Sequence, residues 1–163
     1  DEVLALWQGL GYYARGRHLH AAAQRVVAEH GGALPRTRQA LLALPGIGDY
    51  TAGAILSIAY GQDEPAVDAN IARVLARLLD DARDPASSAA KRTFRAAAAA
   101  LLPLGRARDF IQAMMDLGAT VCVSGLPLCA ECPLAAHCLA YARGVQGERP
   151  LRKQRAGELG AVR

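Results

Sequence analysis

Lysine is almost missing from this chain: of nineteen basic residues only Lys91 and Lys153 are lysines, the rest being arginines. Chemistry that needs a free amine therefore has two side chains to choose from. Aromatics are scarce too, at 5%, and β-branched runs are few, which argues against a sheet protein. There is no run of about eighteen apolar residues to span a membrane, and no charged-then-apolar amino terminus of the signal-peptide kind. The chain therefore reads as soluble and cytosolic. Cysteine is absent before position 122 and after position 138, so no disulfide framework spreads across the chain.

Alanine and leucine fill the space these absences leave, and such a composition predicts an all-α protein. With 163 residues it forms one domain or two small ones, long enough to bury roughly two thirds of its unfolded surface. The formal charge of +4 is mildly basic, compatible with nucleic acid but weak evidence by itself.

The stretch Leu44-Pro45-Gly46-Ile47-Gly48-Asp49-Tyr50-Thr51-Ala52 organises the rest. Thr37 is an N-cap candidate for a helix running to Leu44, and from Thr51 to Tyr60 apolar residues recur at helical spacing. Two glycines between two helices give the permissive backbone a tight hairpin needs, with no Cβ to hold off an approaching surface. Amide N–H groups at the start of the second helix then suit a phosphate. A plain helical hairpin in a bundle has the same pattern.

Around it, Asp1 to Leu10 reads as a helix carrying Leu4 and Trp7, and Tyr12-Tyr13-Ala14-Arg15 leads into a second helix that Gly31-Gly32 ends. Asp68 stands at the N-cap of a helix through Ile71, Val74, Leu75 and Leu78. Ala89 to Leu102 and Asp109 to Val121 complete the helices. From Gly144 onward the chain is charged and core-poor, and residues 139–163 read as a linker.

Cys122, Cys129, Cys132 and Cys138 are separated by six, two and five residues. Without a secretory signal, metal ligation is preferred to disulfides. Zinc commonly takes two short pairs on separate knuckles. One compact loop wrapping four thiolates around a single centre suits an iron–sulfur cubane better. Leu126, Leu128 and Leu134 are too few to fold the loop, so the metal would supply folding free energy. His137, beside Cys138, is a possible competing ligand.

The order of glycine hairpin, Val67-Asp68, helix and four cysteines resembles the helix-hairpin-helix DNA glycosylases with an iron–sulfur loop, which include endonuclease III and the MutY adenine glycosylases. Trp7 to Arg15, Leu44 to Leu56, Val67 to Leu75, Gln112 to Ala119 and the cysteine loop are most similar to the MutY branch. The resemblance covers the chain from Asp1 to about Ala142. It implies the helix-hairpin-helix glycosylase fold, with a helical core over 1–121 (hairpin about 37–60) and a [4Fe-4S] loop over 122–138, the linker leading to a missing carboxy-terminal domain. It also implies a monomer, nucleoid-associated in the cytoplasm, acting on double-stranded DNA that carries adenine opposite 8-oxoguanine or guanine.

The implied reaction is hydrolysis of adenine's N-glycosidic bond in base excision repair. Breaking that bond builds positive charge on deoxyribose, and a nearby carboxylate stabilises it. Asp68 takes that role, with Tyr50 and Asn70 orienting groups or sharing protons beside it. Tyr12 corresponds to the aromatic that wedges beside 8-oxoguanine, and it also reads as a core tyrosine at a helix start. Gly46, Ile47, Gly48 and Thr51 belong to the hairpin that meets the DNA backbone.

Endonuclease III-like enzymes carry a lysine at position 50 whose amine forms a Schiff base and cuts the strand. Tyr50 cannot form an imine and neither lysine is near the motif, so the expectation is a monofunctional glycosylase. A bifunctional lyase and a non-catalytic DNA-binding module are the alternatives. The family's general-acid glutamate has no counterpart here, since Glu2 sits on a different helix, so the 163 residues read as an internal fragment with little activity alone. Ala69 and Ala72 stand where many relatives carry glycine and a polar residue.

Overall fold

A computed structural model describes residues 2–151. Among them the regular structure is helical, with no strand. No described helix is long and apolar enough to cross a membrane. Helix α1 spans Glu2–Leu6 and α2 Tyr13–His30. The first helix is shorter than its apolar pattern predicts because Gly9 and Gly11 turn at positive φ and the Trp7 indole N–H donates to the Gly11 carbonyl at 3.0 Å. That bond folds residues 7–11 back under Trp7, whose ring packs on Gly16 of α2.

The hairpin follows. Helix α3 is Arg38–Leu42, capped by the Thr37 hydroxyl accepting from the Ala40 N–H, and α4 is Asp49–Ala54, continued by a π-helical turn over Ile55–Ala59. The second helix thus starts two residues before the predicted Thr51. Gly46 is required twice: its φ is +76°, and a Cβ there would lie 2.6 Å from the Cβ of His18 on α2. Leu41, Leu44, Ala52 and Leu56 bury against Ala22 and Val26 of α2, giving the hairpin its own core.

Helix α5, Ala69–Leu78, is the centre of a second core, flanked by α6 (Ser88–Leu101) and α7 (Ala107–Thr120). The Asp68 carboxylate caps α5 by accepting from the Ile71 N–H at 2.7 Å, as its position predicts. Gly118 lets α7 touch α5 directly, since a Cβ there would meet the Asn70 Cβ at 2.7 Å. Phe94 of α6 is fully buried between them.

Beyond α7 the cysteine segment contains two short 3₁₀ turns, Cys129–Glu131 and Ala135–His137, and then α8, Leu139–Ala142. The residues from Gly144 to Pro150, core-poor in sequence, lie against the end of α5: the Arg77 guanidinium donates to the carbonyls of Gln146 and Arg149 at 2.8 and 3.0 Å. The remainder of the expected linker, from residue 152, lies outside the described residues.

Candidate active site and cysteine cage

A cleft of about 770 Å³ separates the hairpin from α5 and α6, and its walls carry Gly48, Tyr50, Thr51, Val67 and Asp68 together with Lys91 and Arg95. Two helix starts create this meeting: α4 delivers Tyr50 and Thr51 from its first turn, while the extended residue Asp68 opens α5 opposite them. Asp68 is half-buried. Capping Ile71 uses one bond of a carboxylate that has two acceptor oxygens, so the same residue closes the helix and keeps acceptor capacity toward the cleft. The Tyr50 hydroxyl donates to the Met115 Sδ at 3.6 Å, a weak tether to α7.

Asn70 stands apart from these two. It is not on the cleft wall; its carboxamide oxygen accepts from Arg73 at 2.9 Å, and Arg73 donates onward to the Gly118 and Cys122 carbonyls at 2.6 and 2.8 Å. Its observed work is to join α5 to α7. Lys91 corrects the sequence expectation about lysines. Forty-one positions beyond Tyr50 in sequence, it is carried by α6 onto the wall of the same cleft.

Three of the charged residues on the cleft wall, Arg38, Asp49 and Arg95, are ion-paired. Arg38 contacts Asp49 at 2.7 Å and Glu64 at 3.6 Å, and Arg95 contacts Glu64 at 3.2 Å. Those bridges tie the first helix of the hairpin to the start of the second, and tie both that first helix and α6 to the connector that leads to Asp68.

On the outer side, Gly46 and Gly48 are exposed and Ile47 is half-buried. No side chain caps the start of α4. Tyr12 is 83% exposed, in a left-handed conformation just before α2. The core-tyrosine reading fails, and an aromatic this exposed is free to stack on a partner.

The four cysteines form no disulfide and line one small cavity with Arg77, Pro127, Leu128, Tyr141 and Gln146. His137 is exposed and not on its wall. Burial pushes the Cys129 thiol up, the neighbouring charges of Cys138 and Cys122 push it further, and Arg77 opposes them. Deprotonating such crowded thiols together would call for a cationic occupant, as metal ligation provides. Arg77 is only 3% exposed, and it donates to the Cys122 Sγ at 3.3 Å and to the Val123 carbonyl at 2.8 Å. The Cys138 thiol donates to the Arg77 carbonyl at 3.4 Å. Among the described residues no three His, Cys, Asp or Glu side chains form a group that could hold one metal ion. The Gln146 Oε1 is buried without a partner. Turning that amide over would present N–H groups suited to a sulfide. Four thiols spaced too widely for one ion but lining one cavity, with this orphan beside them, are the donors a larger sulfur-bridged cluster would use.

Residues 29–58 match the helix-hairpin-helix motif. A thermostable thymine-DNA glycosylase shares the fold at a TM-score of 0.76 and 30% identity, over 87% of this chain and 65% of that one. Endonuclease III in a non-covalent DNA complex aligns at a TM-score of 0.72 and 25% identity, over 89% of this chain and 66% of that one. The human adenine DNA glycosylase is 49% identical over 144 residues, 88% of this chain, and that of Mycolicibacterium smegmatis 44% identical over 138 residues, 84% of this chain. The chain is a homologue of the adenine DNA glycosylases. It spans 26% of the length of the human relative and 46% of the mycobacterial one.

For a glycosylase homologue, two site residues, Arg77 and Lys91, and one contact, Gly118 on Asn70, escaped the sequence patterns. Arg77 left a trace: a charge among the apolar positions Val74, Leu75 and Leu78 of one helix needs a buried partner. Lys91 left none, because its nearness to Tyr50 depends on how α6 crosses α5. Gly118 and Asn70 look unrelated until the helices touch.

Proposed function

We propose that this chain carries the catalytic carboxylate and the DNA-gripping hairpin of a monofunctional adenine DNA glycosylase acting on double-stranded DNA with adenine opposite 8-oxoguanine or guanine. The observation that supports it is the meeting of Asp68 and Tyr50 on the walls of one cleft, inside a fold whose relatives are named for adenine removal. Adenine leaves the stack at a cost of a few kcal/mol and enters the cleft. As the bond between its N9 and the sugar C1′ breaks, positive charge grows on the deoxyribose and the Asp68 carboxylate stabilises it; water then adds its hydroxyl to C1′, and the proton it gives up balances the one that the departing adenine takes up. Tyr50 offers a hydroxyl, not an amine, at the opposite wall. Asn70 positions Asp68's helix through Arg73.

The hairpin residues Gly46, Gly48 and Thr51 serve the DNA backbone through main-chain N–H groups, Ile47 lies between them with its own N–H donated to the Leu44 carbonyl at 3.2 Å, and exposed Tyr12 stacks beside the base opposite adenine. Cys122, Cys129, Cys132 and Cys138 hold a [4Fe-4S] cluster whose chemistry here is to tie residues 122–138 together.

Asp68→Asn tests the central assignment cleanly, because asparagine caps helices as well as aspartate does and only the charge is lost. In a preparation competent for base release, adenine release should fall by about 10²-fold or more, with duplex affinity within a few-fold of the unaltered protein. Undiminished release would reject Asp68 as the stabilising group. Lys91 gives the bifunctional alternative a specific footing. Borohydride should trap little covalent complex on abasic DNA. Efficient trapping abolished by Lys91→Ala would replace the monofunctional reading with an imine-forming one.

A further inference from the structure

Asp80 lies just past the end of α5 at φ 51° with its side chain 7% exposed, in a conformation that among side-chain-bearing residues mainly Asp and Asn accept. Nothing in the cleft uses it. Its two carboxylate oxygens are taken by two arginines distant in sequence: the Arg149 Nε donates at 2.7 Å and the Arg143 Nη1 donates to the other oxygen. Three residues earlier, Arg77 binds the carbonyls of Gln146 and Arg149 with one N–H and reaches the Cys122 Sγ with another nitrogen. Gln146, held between these anchors, forms part of the cavity wall that the four cysteines line.

We propose that residues 143–150 are a strap closing the cysteine cage and that Asp80 is its latch, so that releasing Asp80 opens the cage to solvent without disturbing the ligands themselves. The inference rests on the reading of the cage as a cluster site. Arg77 sets the strap's backbone against the cage, and Asp80 fixes its two ends, Arg143 and Arg149, at one point. A bidentate anchor of this kind suppresses local opening, and small reagents reach a buried centre through such openings.

Asp80→Asn keeps a residue that tolerates the left-handed backbone and removes only the charge. Protein purified without oxygen is exposed to an iron chelator in air, and the visible absorbance of the cluster is followed beside hydrogen exchange of residues 143–149. Unaltered protein should lose its colour slowly. Asp80→Asn should lose it roughly three- to tenfold faster, with faster exchange confined to the strap and an unchanged thermal midpoint for the helical core. Arg149→Gln should act in the same direction but less strongly, because it removes one of the two contacts at Asp80, and adding it to Asp80→Asn should change little, because that contact is already broken. Equal rates for Asp80→Asn and the unaltered protein would overturn the strap, as would effects of the two substitutions that simply multiply. If Asp80→Asn lost helicity, Arg149→Gln alone decides by the same criterion. Unaltered protein that binds no iron would overturn the cluster reading and the strap together, whereas a loaded protein indifferent to both substitutions overturns the strap alone.

Discussion

The hairpin and the cysteine segment are stabilised in opposite ways. Between Arg38 and Ala59 the chain buries Leu41, Leu44, Ala52 and Leu56 to 3% exposure or less, and continuous helix satisfies most of its backbone. Between Cys122 and Cys138 only Cys122 is buried, Leu126 is 89% exposed, and two single turns make up the regular structure. What holds the second region among the described contacts is a set of hydrogen bonds from Arg73 and Arg77, to which the proposed ligation would add. A hairpin with its own core folds on what it carries, whereas a loop of this length with so little to bury must borrow stability from an occupant or a neighbour.

Stripping the proposed cluster with a chelator is the strongest way to test this contrast. Hydrogen-exchange protection should disappear over residues 122–150 while residues 38–58 keep theirs; uniform loss across both would show that the two regions fold as one. Next is Leu41→Ala, which should cost about 2–5 kcal/mol in chemical denaturation, as expected for a fully buried leucine, whereas Leu126→Ser in the cysteine segment should change stability by less than about 0.5 kcal/mol.

Gly46→Ala comes third. It combines a strained positive φ with a collision against His18 and should cost about 1–3 kcal/mol, accompanied by weaker duplex binding measured by titration. A neutral result would mean that α2 and the hairpin turn can separate.

The smallest effect is the pH response of the latch. Hydrogen bonding from Arg143, against the opposing effect of burial and helped by Arg149, holds the Asp80 carboxyl below its ordinary value. A depressed carboxyl contributes stability that is fully present above its ordinary value and is lost as pH falls through the folded value. Protection of residues 143–149 should therefore be flat from neutral pH down to about 4 and weaken below it. In Asp80→Asn the acid-side decline should disappear.

Much of this was legible in the sequence. The all-α class, the glycine hairpin, the Thr37 and Asp68 caps and the four-cysteine spacing depend on residues near one another in the chain, where propensity and backbone sterics act directly. Helix ends were less faithful. Trp7 folded back onto Gly11 and shortened α1, and α4 began earlier and widened into a π turn, because tertiary contacts outweighed local pattern.

By itself the sequence determined which segments are helical, where the chain turns, and which residue types are available for chemistry: a carboxylate capping α5, a tyrosine at position 50, four clustered thiols. Only the tertiary structure decided that Asp68 and Tyr50 share a cleft, that Lys91 joins them, that Asn70 turns toward α7, and that residues 143–150 lock onto Arg77 and Asp80. Those outcomes depend on how helices cross, and a crossing is set by side-chain shape at contacts such as Gly118 on Asn70, far apart in sequence and close only after packing.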